Sequence, residues 1–160
     1  LTSKGKTLSD TINMELKNGT VVIELRPDLA PNHVARIKEL TSDGFYDGIV
    51  FHRVIPGFMA QTGDPTGTGT GGSTKPDVAA EFSKEVHVRG TVSMARSASP
   101  DSANSQFFIC FGDCAWLDGQ YSAFGKVVSG MEHIDAIKKG EGGGGEVSNP
   151  DSIVKMSLAE

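Results

Sequence analysis

Residues 11–26 constrain this chain more than any other stretch. In TINMELKNGTVVIELR, Ile12, Met14 and Leu16 alternate with polar residues, and Val21, Ile23 and Leu25 continue the alternation further on. Successive side chains of an extended strand point to opposite sides, so a period of two puts these six on one face. Between the runs stands Asn18-Gly19, the dipeptide favoured in a type I′ turn, where both central residues take positive φ. The segment reads as a β-hairpin.

Further along, Pro31 suits a first helical position, Val34, Ile37, Leu40 and Thr41 form an inward stripe, and Gly44 is the stop. Ile49–Val54 and Phe58–Thr62 read as short strands broken by Pro56-Gly57. From Gly63 to Pro76 the chain turns to Gly, Thr, Pro and Asp, a long surface loop. Thr91–Met94, Gln106–Cys110 and Tyr121–Val128 are further strand candidates. Ser129 and Glu132 have capping-box spacing for a second helix with Met131, Ile134 and Ile137 inward. Lys138 and Lys139 suit its C-terminal end, and Gly140 stops it. Gly140–Gly145 reads as a flexible loop, and Ser152–Leu158 as a closing strand with Ile153 and Val154 apolar. Many short strands and two distant helices predict a mainly antiparallel β barrel or sandwich, and periodicity does not choose between them. Residues 1–10 read as a tail, and 11–160 as a single domain.

Composition narrows the function classes. Fifteen basic and twenty acidic residues leave a net charge of −5. The cations are scattered, which argues against a nucleic-acid surface. No run approaches the roughly eighteen apolar residues of a membrane span, and LTSKGKTLSD has no signal-peptide core. Leu1 in place of Met points to a trimmed or processed start, so a removed leader would open periplasmic or secreted locations. Cys110 and Cys114 lack the further ligands of a zinc site, and they read as two free thiols. That fits a reducing compartment, and a cytoplasmic location is expected. Nothing suggests an obligate interface, so a monomer is expected.

Gly67-Thr68-Gly69-Thr70-Gly71-Gly72 matches the letters of a dinucleotide-binding loop, G-x-G-x-x-G. That loop works only where it joins a strand to a helix, and Ser73-Thr74-Lys75-Pro76 opens no helix. The four histidines are spread out, which argues against a metal site, and no G-x-S-x-G nucleophile motif is present. More unusual is Phe51-His52-Arg53-Val54-Ile55-Pro56-Gly57-Phe58-Met59-Ala60-Gln61. On a regular strand Phe51, Arg53 and Ile55 would share a face. Arg53 is then either a surface residue whose stem covers apolar area, or a donor beside an apolar pocket that binds peptide. Residue chemistry alone leaves the two readings level.

Three blocks separate them. F-H-R-V-I-P-G-F-M-A-Q-T-G-D (51–64), S-Q-F-F-I-C (105–110) and W-L-D-G-x-Y-x-x-F-G-K-V (116–127) resemble the signature blocks of cyclophilins. The resemblance runs from about Thr11 to Leu158, in order, and M-A-R-S-x-x-P-x-S-A-x-S-Q-F-F (94–108) is closest in pattern to bacterial members. It implies an eight-stranded antiparallel β barrel closed by two helices, and peptidyl-prolyl cis-trans isomerase activity without a cofactor or metal. Carried over by motif, Arg53, Phe58 and Gln61 are the implied catalytic residues. Met59, Gly69, Ala95, Arg96, Gln106, Phe108, Trp116, Leu117 and Tyr121 are the implied substrate-binding residues. Phe58, Met59, Phe108 and Leu117 would line a proline pocket, and the Ala95-Arg96 backbone would pair with an extended peptide. The implied partners are proline-containing peptides, folding proteins and, through Trp116, cyclosporin. Two positions depart from the best-known pattern: Tyr121 stands where many members have His, and Arg96 where many have Asn. Both are expected to tune substrate preference. A proline-binding chaperone module with weak catalysis is the competing class, and a hydrolase the remote one.

Overall fold

The fold is that of a computed structural model, which describes residues 10–141 and 144–159. The expected tail at 1–10 lies outside them except for Asp10. Eight strands form one antiparallel sheet, β1 (Thr11–Leu16), β2 (Gly19–Leu25), β3 (Arg53–Ile55), β4 (Met59–Thr62), β5 (Thr91–Met94), β6 (Phe107–Cys110), β7 (Ala123–Ser129) and β8 (Lys155–Leu158). Their order across the sheet is β3-β4-β6-β5-β7-β2-β1-β8. Helix α1 (Pro31–Ser42) packs on β8 and β7, and α2 (Met131–Asp135) on β2. The chain is thus mainly β with two helices. Among the described residues no helix is long and apolar enough to cross a membrane.

The hairpin forms, with a different turn. Asn18-Gly19 as central residues would set Lys17 opposite Thr20, yet Leu16 lies opposite Gly19, so the turn is Lys17-Asn18. Asn18 does not take positive φ, and Gly19 takes φ +149°. Gly19 is closely packed there: a Cβ on it would lie 2.4 Å from Nε2 of His133 in α2. The pairing moves by two residues, which keeps every side chain on its face, whereas a slip of one would have inverted them. Ile12, Met14, Leu16, Val21, Ile23 and Leu25 all point into the core.

Other expectations are corrected, among them the stop at Gly140, since α2 already ends at Asp135. Ser129 does not cap α2, because it still pairs with Val22 as the last residue of β7. Gly130 precedes the helix with φ +85°, where a Cβ would lie 2.4 Å from Thr20 O. Helix α2 is short, and the Lys139 ammonium donates back to the carbonyls of Asp135 and Ile137. The strand expected from Ile49 starts only at Arg53; before it, Val50 bridges Ser152, and that bridge links the approaches to the two outermost strands. Of the apolar pair in the last strand segment, Ile153 is buried and Val154 exposed.

The main core draws on all eight strands, β3 contributing only Val54, as well as on α1 and α2. A second, smaller apolar cluster lies on the other face, under β4 and β6. Strand β6 supplies both. Phe107 and Ile109 face the main core, while Phe108 and Cys110 face the second cluster, and all four are buried. A strand covered on both faces reads as a continuous apolar run, which explains the unbroken FFIC.

Candidate active site

The second cluster is built on two rows of side chains. Arg53 pairs with Gln61 across β3 and β4, and Gln61 with Phe108 across β4 and β6. Ile55 pairs with Met59, and Met59 with Cys110, in the next row. Directly opposed residues share a face of a sheet, so these six stand together. Phe51 is not among them: it precedes the strand and lies in the main core with Val54. The expected Phe51–Arg53–Ile55 face therefore holds for Arg53 and Ile55 alone.

Around the rows lies a cavity of about 100 Å³, walled by Arg53, Phe58, Met59, Gln61, Ala95, Arg96, Phe108, Leu117 and Tyr121. That is well below the roughly 300–1,000 Å³ of sites for drug-sized ligands; it suits a single small ring. Met59, Phe108 and Leu117 are buried at its base. The Tyr121 ring meets Phe108 edge-on at 5.7 Å, and the Arg96 guanidinium lies 4.6 Å from the Tyr121 ring centre. Arg96 is tethered there by bonds from Nε and Nη2 to Gln120 O at 3.1 and 2.9 Å.

Arg53 is held from two sides. Its Nε donates to Gly144 O at 3.0 Å, and Nη1 donates to Gln61 Oε1 at 3.2 Å. A guanidinium only donates, so Gln61 turns its oxygen to Arg53 and its amide nitrogen to Gln106 Oε1 at 2.8 Å. Gln106 Nε2 then donates to Gly69 O at 3.0 Å and Gly71 O at 2.9 Å. Such a site can grip a small apolar ring beside a positioned cationic donor.

Nine of the twelve site residues read from the sequence thus wall one cavity. Gly69 and Gln106 line the adjoining polar groove, together with Ser73, Asp77 and Asn104. Trp116 stands apart on a short 3₁₀ turn, 64% exposed, with its ring 5.4 Å from Phe58. Three supports went unread. His87 stacks under Phe108, bonded to Ser93 Oγ at 2.9 Å and Asp118 Oδ1 at 3.0 Å. Gly144 supplies only a carbonyl, so no residue type marks it. Asp64 organises the glycine-rich loop, and an Asp followed by Thr two residues on is the local signal of such a turn. The two thiols are free and buried in the second cluster, and burial pushes both pKa values up. Among the described residues, no group of three or more His, Cys, Asp or Glu is placed to hold a metal ion.

The G-x-G-x-x-G letters have a structural explanation. Backbone N–H groups of Thr66, Thr68, Gly69 and Gly71 converge on a carboxylate, as they would on a phosphate, but the carboxylate is that of Asp64. The loop's anion belongs to the chain itself.

This mainly β fold carries a small apolar cavity beside a fixed guanidinium, and comparison with known proteins says which class of protein has that arrangement. Residues 11–158 match the family described as cyclophilin type peptidyl-prolyl cis-trans isomerase/CLD. A probable peptidyl-prolyl cis-trans isomerase of Brucella suis is 58% identical over 161 residues, spanning 93% of this chain and 82% of that protein. A peptidyl-prolyl cis-trans isomerase of Helicobacter pylori is 44% identical over 133 residues, 80% of each chain. The crystal structure of a Cryptosporidium parvum cyclophilin-type isomerase, in the presence of the dipeptide Ala-Pro, superposes with a TM-score of 0.87. It is 28% identical, covering 94% of this chain and 99% of that one. The chain belongs to the cyclophilin-type peptidyl-prolyl cis-trans isomerase family.

Proposed function

We propose that the chain accelerates cis–trans isomerisation of X–Pro bonds in peptides and folding proteins, with Arg53 acting on the twisted amide. An X–Pro bond turns slowly because twisting destroys amide resonance, a barrier of about 18–20 kcal/mol in a peptide. No covalent bond is made or broken, so the reaction calls for no nucleophile, metal or cofactor. As the amide twists, the proline nitrogen becomes pyramidal and its lone pair becomes an acceptor. A charged donor beside that nitrogen binds the twisted form better than either planar form, and differential binding is what lowers a barrier.

The observation that carries this reading is the double tether of Arg53 at the rim of the cavity. Nε and Nη1 are engaged, and Nη2 is the donor proposed for substrate. Phe58, Met59, Phe108 and Leu117 grip the proline ring. Gln61 orients Arg53 and the substrate carbonyl. Ala95, Arg96 and Gln106 hold the peptide backbone, and Gly69, Trp116 and Tyr121 border its path. One charge-assisted hydrogen bond is worth about 1.5–3 kcal/mol, and each tenfold in rate needs about 1.4 kcal/mol. Arg53 alone therefore supplies about one to two orders of magnitude, and the pocket must supply the rest by holding the ring while the preceding carbonyl swings.

The test is an isomerisation assay on a proline peptide with wild type and Arg53→Ala. Turnover is expected to fall by about two orders of magnitude with the fold intact. Near wild-type turnover in the variant would overturn the assignment, and binding without accelerated exchange would favour a proline-binding module.

Finer features are proposed on the same footing. The sheet is read as a closed barrel capped by the two helices, supported by the Val50–Ser152 bridge between the approaches to its outer strands. Residues 11–160 are read as one domain because strands from β1 to β8 share the main core. A monomer is proposed, since one chain walls the whole cavity. A cytoplasmic location suits two buried free thiols. Cyclosporin binding is proposed through exposed Trp116; titration should quench or shift tryptophan fluorescence and inhibit turnover, and a drug that changes neither would refute it.

A further inference from the structure

Asp64 takes no part in the cavity, yet it is 1% exposed and accepts more hydrogen bonds than any other side chain near the site. Oδ1 receives Thr66 N at 2.8 Å and Thr66 Oγ1 at 2.7 Å. Oδ2 receives Thr68 N at 3.2 Å, Gly69 N at 2.6 Å and Gly71 N at 3.1 Å. The loop is moulded to this carboxylate: a Cβ on Gly71 would lie 2.3 Å from Oδ1. Asp64 is itself held against the segment just ahead of β6, because a Cβ on its neighbour Gly63 would lie 2.4 Å from Ser105 O, and Ser105 Oγ donates to Gly63 O at 2.7 Å.

We propose that Asp64 is a positioning residue for Arg53, acting through the Gly69 and Gly71 backbone, Gln106 and Gln61. Gly69 and Gly71 each present an N–H to Asp64 and a C=O to Gln106. Gln106 passes its oxygen to Gln61, and Gln61 passes its own to Arg53. Every donor along this chain points the same way, from the guanidinium at one end to the carboxylate at the other. Hydrogen bonds aligned head to tail through the Gln61 and Gln106 side-chain amides polarise one another and strengthen. Gly69 and Gly71, whose N–H and C=O belong to successive peptide units, transmit position. The alignment also removes an ambiguity: a flipped amide at Gln61 or Gln106 would set N–H against N–H. Removing the carboxylate unties the loop N–H groups, so that the Gly69 and Gly71 carbonyls shift, Gln106 and Gln61 turn, and Arg53 loosens on the Gln61 side.

This inference rests on the proposed role of Arg53, and its test separates the two. kcat and KM are measured for wild type, Asp64→Asn, Gln106→Leu and the double variant. Asp64→Asn should lower kcat about tenfold with little change in KM, less than the about hundredfold that a 1 Å misplacement can cost. With the relay already cut by Gln106→Leu, adding Asp64→Asn should cost no more than about twofold. An equal loss in both backgrounds, or no loss in the first, overturns the proposal. Solvent exchange of the Arg53 Nε–H, read by NMR, should quicken in Asp64→Asn while amides of β1 and β2 stay unchanged. Unaltered exchange overturns it too, and this readout stands even if wild type proves inactive. If Asp64→Asn does not fold, Asp64→Glu, which keeps the charge but lengthens the arm, carries the same comparisons.

Discussion

The two sides of the sheet solve different problems. On the β2-β1-β8 side one face packs on the core and the other is more open: β1 and β2 bury Ile12, Met14, Leu16, Val21, Ile23 and Leu25, while Glu15, Thr20 and Glu24 are exposed. On the β3-β4-β6-β5 side both faces are covered, the inner by the main core and the outer by the cluster that forms the cavity. The first side stores stability, and the second spends an extra layer of apolar side chains to set Arg53 in a low-polarity rim. The candidate site is a second buried face left incompletely roofed.

The largest expected effect tests whether the sides are separable. Ile23→Ala, deep on the hairpin side, should cost about 2–5 kcal/mol of unfolding free energy. Its folded fraction should keep kcat/KM within about twofold of wild type. A larger loss of activity would join the two sides. Arg53→Ala should give the opposite signature, an about hundredfold loss of turnover with little change in melting.

A smaller effect concerns pH. Burial pushes the Asp64 carboxyl up, but hydrogen bonds from Thr66, Gly71 and Gly69 outweigh it and hold the group at about 2, against an ordinary 3.8. A depressed folded pKa lends stability that is complete above the ordinary value and lost as pH falls through the folded one. Asp64→Asn should therefore destabilise at neutral pH, and its deficit in denaturation against wild type should shrink between about pH 4 and pH 2. A deficit independent of pH would contradict the charged cradle. The smallest effect is at the rim. Arg96→Ala removes a cation from the Tyr121 face, worth about 0.5–1 kcal/mol. A two- to fivefold change in kcat/KM, varying with the residue flanking proline, is expected from proline-peptide assays.

Legibility in the sequence followed the same division. Alternation in residues 11–25 identified the one-sided strands and their faces, because burial on one face alone imposes a period of two. It did not identify the turn, whose Gly19 sets Leu16 opposite itself and packs against His133, more than a hundred residues away. In β6 the period vanished because both faces are buried, so FFIC announced a strand without saying which residue met which cluster. The cavity walls were read from motif blocks. Physical reading of the residues left Arg53 undecided, and its neighbours come from cross-strand pairing that no local pattern encodes. Gly144 and the His87–Asp118 support act through backbone or from behind, where side-chain type carries little signal.

The glycine-rich stretch after α2 has one more consequence. Val54, in the outermost strand β3, gives its N–H to Gly145 O at 2.8 Å, and its carbonyl receives Gly140 N at 2.8 Å. At the opposite margin, Gly48 donates to Ile153 O at 2.7 Å and Ile153 donates to Ile49 O at 2.8 Å, just ahead of β8. Bare strand margins recruit other extended chains and seed aggregates. Hemmed at these points, the margins offer less free backbone for another extended chain to pair with.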